Sequence, residues 1–251
     1  MWCQRSRIQW VEKGDQNTRF FHGMATQRKR RNFIKGIKDA DGVWQTEEEV
    51  VCNIFVNYYT RLFSSAGPLE LDRVPEGVNH IVNDDMNVEL TKPYTQEEVD
   101  AAIKQMSPLK ALGPDGMPPL FYQSFWFQIG LDVSEAILSC LNSGTLLKSI
   151  NHTFITLIPK VNSPKNVSKY RPISLCNVLY KILSKVIANR LKPILNSIVS
   201  EAQSAFTADM LITDNILIAF KFLHHMKTQC LGREGFMALK LDMSKAYDRV
   251  E

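Results

Sequence analysis

Asp242 ends the apolar run Met237-Ala238-Leu239-Lys240-Leu241. A carboxylate at the end of a strand can emerge toward a bound metal, whereas one inside the strand would be buried without a partner. An Asp in that place also serves commonly as the cap of the next helix. A second chemistry is spread over a longer stretch. Positions 151–200 contain Lys160, Lys165, Lys169, Arg171, Lys181, Lys185, Arg190 and Lys192, and no Asp or Glu. Such a field favours a polyanion, most often nucleic acid, with an ordinary solvated face as the alternative. Lys181, Lys185 and Lys192 fall within about 40° of one another on a helix that turns 100° per residue. They form a basic stripe opposite the row Leu179, Ile182, Val186. His22, His80, His152, His224 and His225 have no metal-ligand spacing. The five cysteines are odd in number, scattered and without a C-x-x-C pair. The pattern implies a reduced, intracellular chain without structural zinc.

The elements that must carry these groups are read from caps and periodicity. Thr46-Glu47-Glu48-Glu49 has the capping-box spacing, followed by the rows Val50, Ile54, Tyr58, Leu62 and Val51, Phe55, Tyr59, Phe63, which predict an amphipathic helix. Thr95 to Glu98 repeats the box, with Val99, Ala102, Ile103 and Met106 on one face and a stop before Pro108. Residues 64–94 read as a linker with one short helix, and a boundary near residue 90 is expected. Residues 154–158 alternate and are β-branched, which predicts a strand ended by Pro159. Residues 178–191 return to helical period, with Pro193 expected to bend or end the helix. Residues 211–226 predict a mostly buried helix, and 236–242 a strand followed by a short helical turn.

Composition narrows the class. The chain has 251 residues, 45% hydrophobic and 22% charged, which excludes disordered and fibrous classes. Its apolar stretches break well before the roughly 18 residues of a membrane helix, and no secretory signal is read at the amino terminus. The net charge of +4 conceals a basic stretch to residue 31, an acidic middle to 138 and a basic remainder. Arg28-Lys29-Arg30-Arg31 suits a nuclear-localisation signal, an RNA-binding arm or a solvated charge run, so the nucleus and the cytoplasm both stay open.

Four blocks follow in order. They are Leu157-Ile158-Pro159-Lys160, Tyr170-Arg171-Pro172-Ile173-Ser174-Leu175-Cys176-Asn177, Gln203-Ser204-Ala205-Phe206, and Leu239-Lys240-Leu241-Asp242-Met243-Ser244-Lys245-Ala246-Tyr247-Asp248. In order and wording they resemble the successive blocks of LINE-type, non-LTR retrotransposon reverse transcriptases. Lys110-Ala111-Leu112-Gly113-Pro114-Asp115-Gly116 resembles the block that opens the family's polymerase region. Gly14-Asp15-Gln16-Asn17-Thr18-Arg19-Phe20-Phe21-His22 resembles the segment joining its endonuclease to its polymerase.

The resemblance implies an α+β fold, a partial right-hand polymerase that is helix-rich with a small antiparallel sheet. Residues 1–90 would form a basic arm and helical linker region, and 91–251 the fingers and partial palm. It implies RNA-templated DNA synthesis by a two-metal mechanism, with an RNA template, a DNA primer, deoxynucleoside triphosphates and two Mg²⁺ ions. Asp242 would bind both ions, with the Met243 carbonyl helping to hold one. Lys160 and Arg171 would neutralise the triphosphate, and Tyr247 would exclude a ribose 2′-OH. Taken singly, Lys160 also reads as a strand-end surface lysine, Arg171 as part of a structural ion pair and Tyr247 as a core aromatic. The chain departs from the family pattern in three places. The second carboxylate block, Tyr/Phe-x-Asp-Asp, does not occur, and the pair Asp84-Asp85 lies far upstream. Ala208-Asp209-Met210 replaces a Pro-Gly-Arg-like turn, and Leu112 stands where Pro is common. The expectation is a fragment that is inactive alone, whether an enzyme portion, a non-catalytic nucleic-acid-binding module or a relic.

Overall fold

Secondary structure in this computed structural model is helix-rich, with two small antiparallel sheets of two strands each. Residues 19–65, 67, 81–200, 203, 211–228, 237–239 and 241 are described. Their packing divides into two units, the described residues up to Ser64 with Tyr94–Val186, and the described residues of Ser65–Pro93 with those from Ile187 on.

The first unit opens with α1 (Arg19–Asn32), then β1 (Ile37–Lys38) and β2 (Trp44–Gln45). These two strands form a hairpin that the periodicity did not predict. Asp39 makes its turn: its carboxylate accepts from the Val43 amide at 2.8 Å, the Asp41 amide at 3.1 Å and Gln45 Nε2 at 2.7 Å. Gly42, with φ +82°, closes it. The predicted helix follows as α2 (Glu48–Phe63), but its N-cap is Glu47 and makes no side-chain cap bond. Because β2 holds the chain extended to Gln45, the helix starts one residue later than the Thr46 box requires. The Val51, Phe55, Tyr59 row faces inward. Phe55 and Tyr59 join Ile37, Val167 and Tyr170 in one core cluster, with the Phe55 ring edge-on to Tyr170 at 5.2 Å.

A second cluster lies between α4 (Gln96–Gln105), α5 (Pro119–Ser124), α6 (Trp126–Ser143) and the first part of α8 (Val178–Ile198). The Thr95 box forms as expected, its amide donating to Glu98 at 3.0 Å. Val99, Ala102, Ile103 and Met106 are buried against Tyr122, Ile137, Val178, Ile182 and Val186. Gln123 donates to the carbonyls of Ile103 and Met106 at 2.9 and 2.8 Å, satisfying the end of α4. Trp126 Nε1 reaches Asp100 at 3.0 Å. Gly144, φ +69°, terminates α6 in the left-handed region. After the short α7 (Lys148–Asn151) come β3 (Thr153–Pro159), a 3₁₀ turn at Val167–Lys169 and β4 (Tyr170–Cys176).

In the second unit, α3 (Asp84–Thr91) is the short helix expected in the linker, N-capped by Asn83 through a 2.8 Å bond to the Met86 amide. The Arg190 guanidinium donates to the carbonyls of Leu90, Lys92 and Pro93 at the end of that helix, so one of the eight cations of 151–200 is occupied structurally. Helix α8 runs on through Pro193 to Ile198 instead of ending there. Proline removes one amide donor from the ladder, a local loss that the surrounding turns absorb. Helix α9 (Ile212–Thr228) forms where expected, but it is not buried: Ile216, Leu217, Ile218, Phe220, Phe222 and Leu223 are all exposed. The strand expected over 236–242 is not formed at 237–239 and 241, which lie in irregular, exposed backbone. A strand needs a partner ladder, and none pairs with it among the described residues. No helix of the described residues is long and apolar enough to cross a membrane.

Candidate functional site

The β3–β4 hairpin brings two of the expected site residues together. Its register pairs Thr153 with Cys176, Leu157 with Pro172, Ile158 with Arg171 and Pro159 with Tyr170. The Lys160 amide donates to the Lys169 carbonyl at 2.8 Å and adds one more rung. Strand side chains alternate between faces, and cross-strand partners share one. Leu157 and Tyr170 point into the core cluster with Phe55, and burial pushes the Tyr170 phenol upward in pKa. The opposite parity places Ile158, Lys160 and Arg171 on the outer face, with Lys160 and Arg171 as diagonal neighbours. Both are exposed. Neither makes an ion pair or side-chain hydrogen bond among the described residues. Two adjacent cations repel each other unless an anion or water screens them.

The far end of the hairpin is fixed by the block Lys110–Gly116, whose geometry periodicity does not reveal. Gly113 is buried against the chain leaving β4; a Cβ there would lie 2.5 Å from the Cys176 carbonyl oxygen and 2.6 Å from the Asn177 nitrogen. Asn177 is buried, accepts from the Asp115 amide at 3.1 Å and donates to the Ser149 carbonyl at 3.1 Å. Asp115 in turn accepts from the Val178 amide at 3.4 Å, in the position of an N-cap for α8 supplied from 63 residues away in sequence. Lys181 Nζ donates to the Ala111 carbonyl at 2.7 Å. Gly113→Ala is expected to cost about 2 kcal/mol and lower the melting temperature, because backbone atoms rather than a movable side chain occupy the space. Gly23→Ala, in helix α1 with open space around it, is the control and is expected to raise stability slightly.

Of the proposed basic stripe, Lys181 is half-buried with one N–H donor on Ala111, and burial holds its ammonium below the usual lysine pKa. Lys185 is half-buried and Lys192 exposed. Asp242, Met243 and Tyr247 lie outside the described residues. Among the described residues, no three His, Cys, Asp or Glu side chains come together to hold a metal ion.

The family "Reverse transcriptase (RNA-dependent DNA polymerase)" matches residues 158–251. The chain is 28% identical, over 98% of its length and 19% of the relative's, to the uncharacterised 149 kDa protein of transposon TX1 from Xenopus laevis. It is 31% identical, over 60% of its length and 14% of the relative's, to the retrovirus-related Pol polyprotein of the type-2 retrotransposable element R2DM from Drosophila melanogaster. It thus spans less than a fifth of the length of these curated relatives.

Proposed function

Since the chain covers part of the reverse transcriptase region of a non-LTR retrotransposon, we propose that it supplies the fingers and first palm motif of a right-hand RNA-directed DNA polymerase. The observation that carries this reading is the outer face of the β3–β4 hairpin, where Lys160 and Arg171 are diagonal neighbours, exposed and without an acidic partner among the described residues. An incoming deoxynucleoside triphosphate presents the matching charge. Lys160 offers a compact point charge and Arg171 a planar fork that can bind two phosphate oxygens at once. As pyrophosphate leaves, charge accumulates on its oxygens, and donors already in place stabilise it without reorganising.

Asp242 and the Met243 carbonyl are hard oxygen donors of the kind Mg²⁺ takes. When bound, Mg²⁺ supplies Lewis-acid stabilisation of the oxygens exchanged at phosphorus. One carboxylate cannot build a paired-ion site, and no Tyr/Phe-x-Asp-Asp occurs in the 251 residues. These residues are therefore expected to act only within a longer or complemented chain. The acid-free stretch 151–200 favours a second reading, nucleic-acid binding without chemistry. Tyr247, five residues after Asp242, is assigned the exclusion of a ribose 2′-OH by bulk. Lys185, Lys192 and the free donors of Lys181 are assigned phosphate contacts along the template or primer.

The test is to join residues 1–251 to the palm and thumb of a close relative and to measure DNA primer extension on an RNA template. Extension that depends on Mg²⁺ is expected from the joined protein, and none from residues 1–251 alone. A folded joined protein that fails to extend, while the relative's own enzyme does, overturns the polymerase reading. Extension by the isolated chain overturns the claim that its site is incomplete.

A further inference from the structure

The amino-terminal hairpin β1–β2 is joined to the loop of the β3–β4 hairpin: the Lys38 amide donates to the Lys165 carbonyl at 2.9 Å. Ile37 points inward and is fully buried, so by strand alternation Lys38 points out. Its cross-strand partner is Trp44, whose side chain shares that outer face. The indole is seated over Gly36, where a Cβ would come within 2.8 Å of two ring atoms, yet Trp44 remains 45% exposed. Across the backbone junction, Pro164 and Val167 are buried and anchor the loop, while Lys165 and Lys169 are exposed. None of Lys38, Lys165 and Lys169 makes a side-chain hydrogen bond or ion pair among the described residues. The nearest acid in sequence, Asp39, has both carboxylate oxygens committed inside its own turn.

An exposed indole held on a glycine seat beside a run of lysines suits a ligand that is anionic along its length and carries unstacked aromatic faces. Duplexes hide those faces in their stack; single strands offer them. We propose that Trp44, Lys38, Lys165 and Lys169 form a binding surface for single-stranded nucleic acid, with one base stacked on Trp44 and adjacent phosphates on the three lysines. This deepens the polymerase reading by giving the amino-terminal hairpin a strand-holding role next to the nucleotide-binding face. It does not include Lys160 or Arg171, and its test is binding by the 251-residue chain, so failure of primer extension leaves it standing.

The experiment measures fluorescence anisotropy of labelled 20-nucleotide oligo(U) and oligo(dT), and of a 20-base-pair duplex, from 50 to 300 mM KCl. Each single-strand phosphate contact contributes about 0.7 to the slope of log K against log salt. Neutralising all three with Lys38→Gln, Lys165→Gln and Lys169→Gln is expected to reduce the slope by about 2 and weaken single-strand binding at least tenfold. Trp44→Ala is expected to weaken single-strand binding about tenfold, within the range for loss of one stacked base, with the slope unchanged and duplex binding little affected. Trp44→Phe, which preserves a ring, is expected to recover most of the loss, and thermal melts check that each variant is folded. The proposal is overturned if the folded lysine triple keeps its slope and affinity. It is equally overturned if Trp44→Ala leaves single-strand affinity unchanged or lowers duplex affinity as much, or if Trp44→Phe binds no better than Trp44→Ala.

Discussion

Asp242→Asn, in the chain completed by a relative's palm and thumb, is expected to reduce primer extension by about 10³-fold or more, equivalent to roughly 4 kcal/mol in the barrier. Asparagine keeps the size of the side chain but removes the charge that a divalent cation requires, so the melting temperature should hold while turnover is lost. Asp248→Asn is the matched control. Asp248 lies six residues past Asp242 and is assigned a helix-surface or ion-pairing role, so its replacement should leave extension within about twofold, as for an ordinary surface pair. Near-normal extension by the Asp242 variant would remove that residue from the site. Equal losses at 242 and 248 would point to damage of the segment rather than of a ligand.

Arg171→Ala in the same protein is expected to lower kcat/KM for the incoming nucleotide about 10²-fold, in the range for a charge-assisted donor pair at a developing oxyanion. Arg171→Lys should recover only part of this, because an ammonium keeps the charge and loses the fork. The residue is exposed on the outer face of β4 and opposes Ile158, so its removal opens no cavity. Lys160→Ala should cost less, about tenfold. Since the two cations are diagonal neighbours, the double variant should fall short of the product of the single effects. An Arg171→Ala enzyme with unchanged nucleotide dependence would leave the hairpin face without its assigned ligand.

What the sequence reveals of this arrangement follows from how local each feature is. The Thr95 capping box, the strand ended by Pro159 and the helix after Asn177 are written in patterns a few residues long, and all three form. Helix Trp126–Ser143 carries a weaker signal because its buried positions include Gly130 and Ser134 beside Ile137 and Cys140; small residues at an interface dilute apolar periodicity. The β1–β2 hairpin has two-residue strands, too short to alternate, and only Asp41-Gly42 between Lys38 and Trp44 hints at its turn. The exposure of helix α9 reverses a reading based on apolar content alone, since content says that a face can be buried and never against what.

The site divides in the same way. That Lys160 and Arg171 share a face follows from a hairpin register that their spacing is compatible with but does not determine. The bonds of Asn177 to Asp115 and Ser149 join residues far apart in the chain and have no local pattern to betray them. Arg190 looks like any other cation of the acid-free stretch until its three carbonyl partners are seen. Asp242, Met243 and Tyr247 rest on the sequence and the family match.

The core that unites Ile37, Phe55 and Tyr59 with Val167 and Tyr170 also dictates an order of events during synthesis. Contacts separated by roughly 110 to 130 residues close slowly, because the intervening chain must be gathered first. On the ribosome, helix α2 emerges long before its partners. Phe55 and Tyr59 must then wait, solvent-facing, for a strand that begins at Tyr170. A nascent or truncated product ending before β4 would display that apolar row to whatever binds it, including other copies of itself and chaperones. The β3–β4 hairpin is therefore also the closing clasp of the amino-terminal half, and maturation of that half is timed by the arrival of a strand translated late.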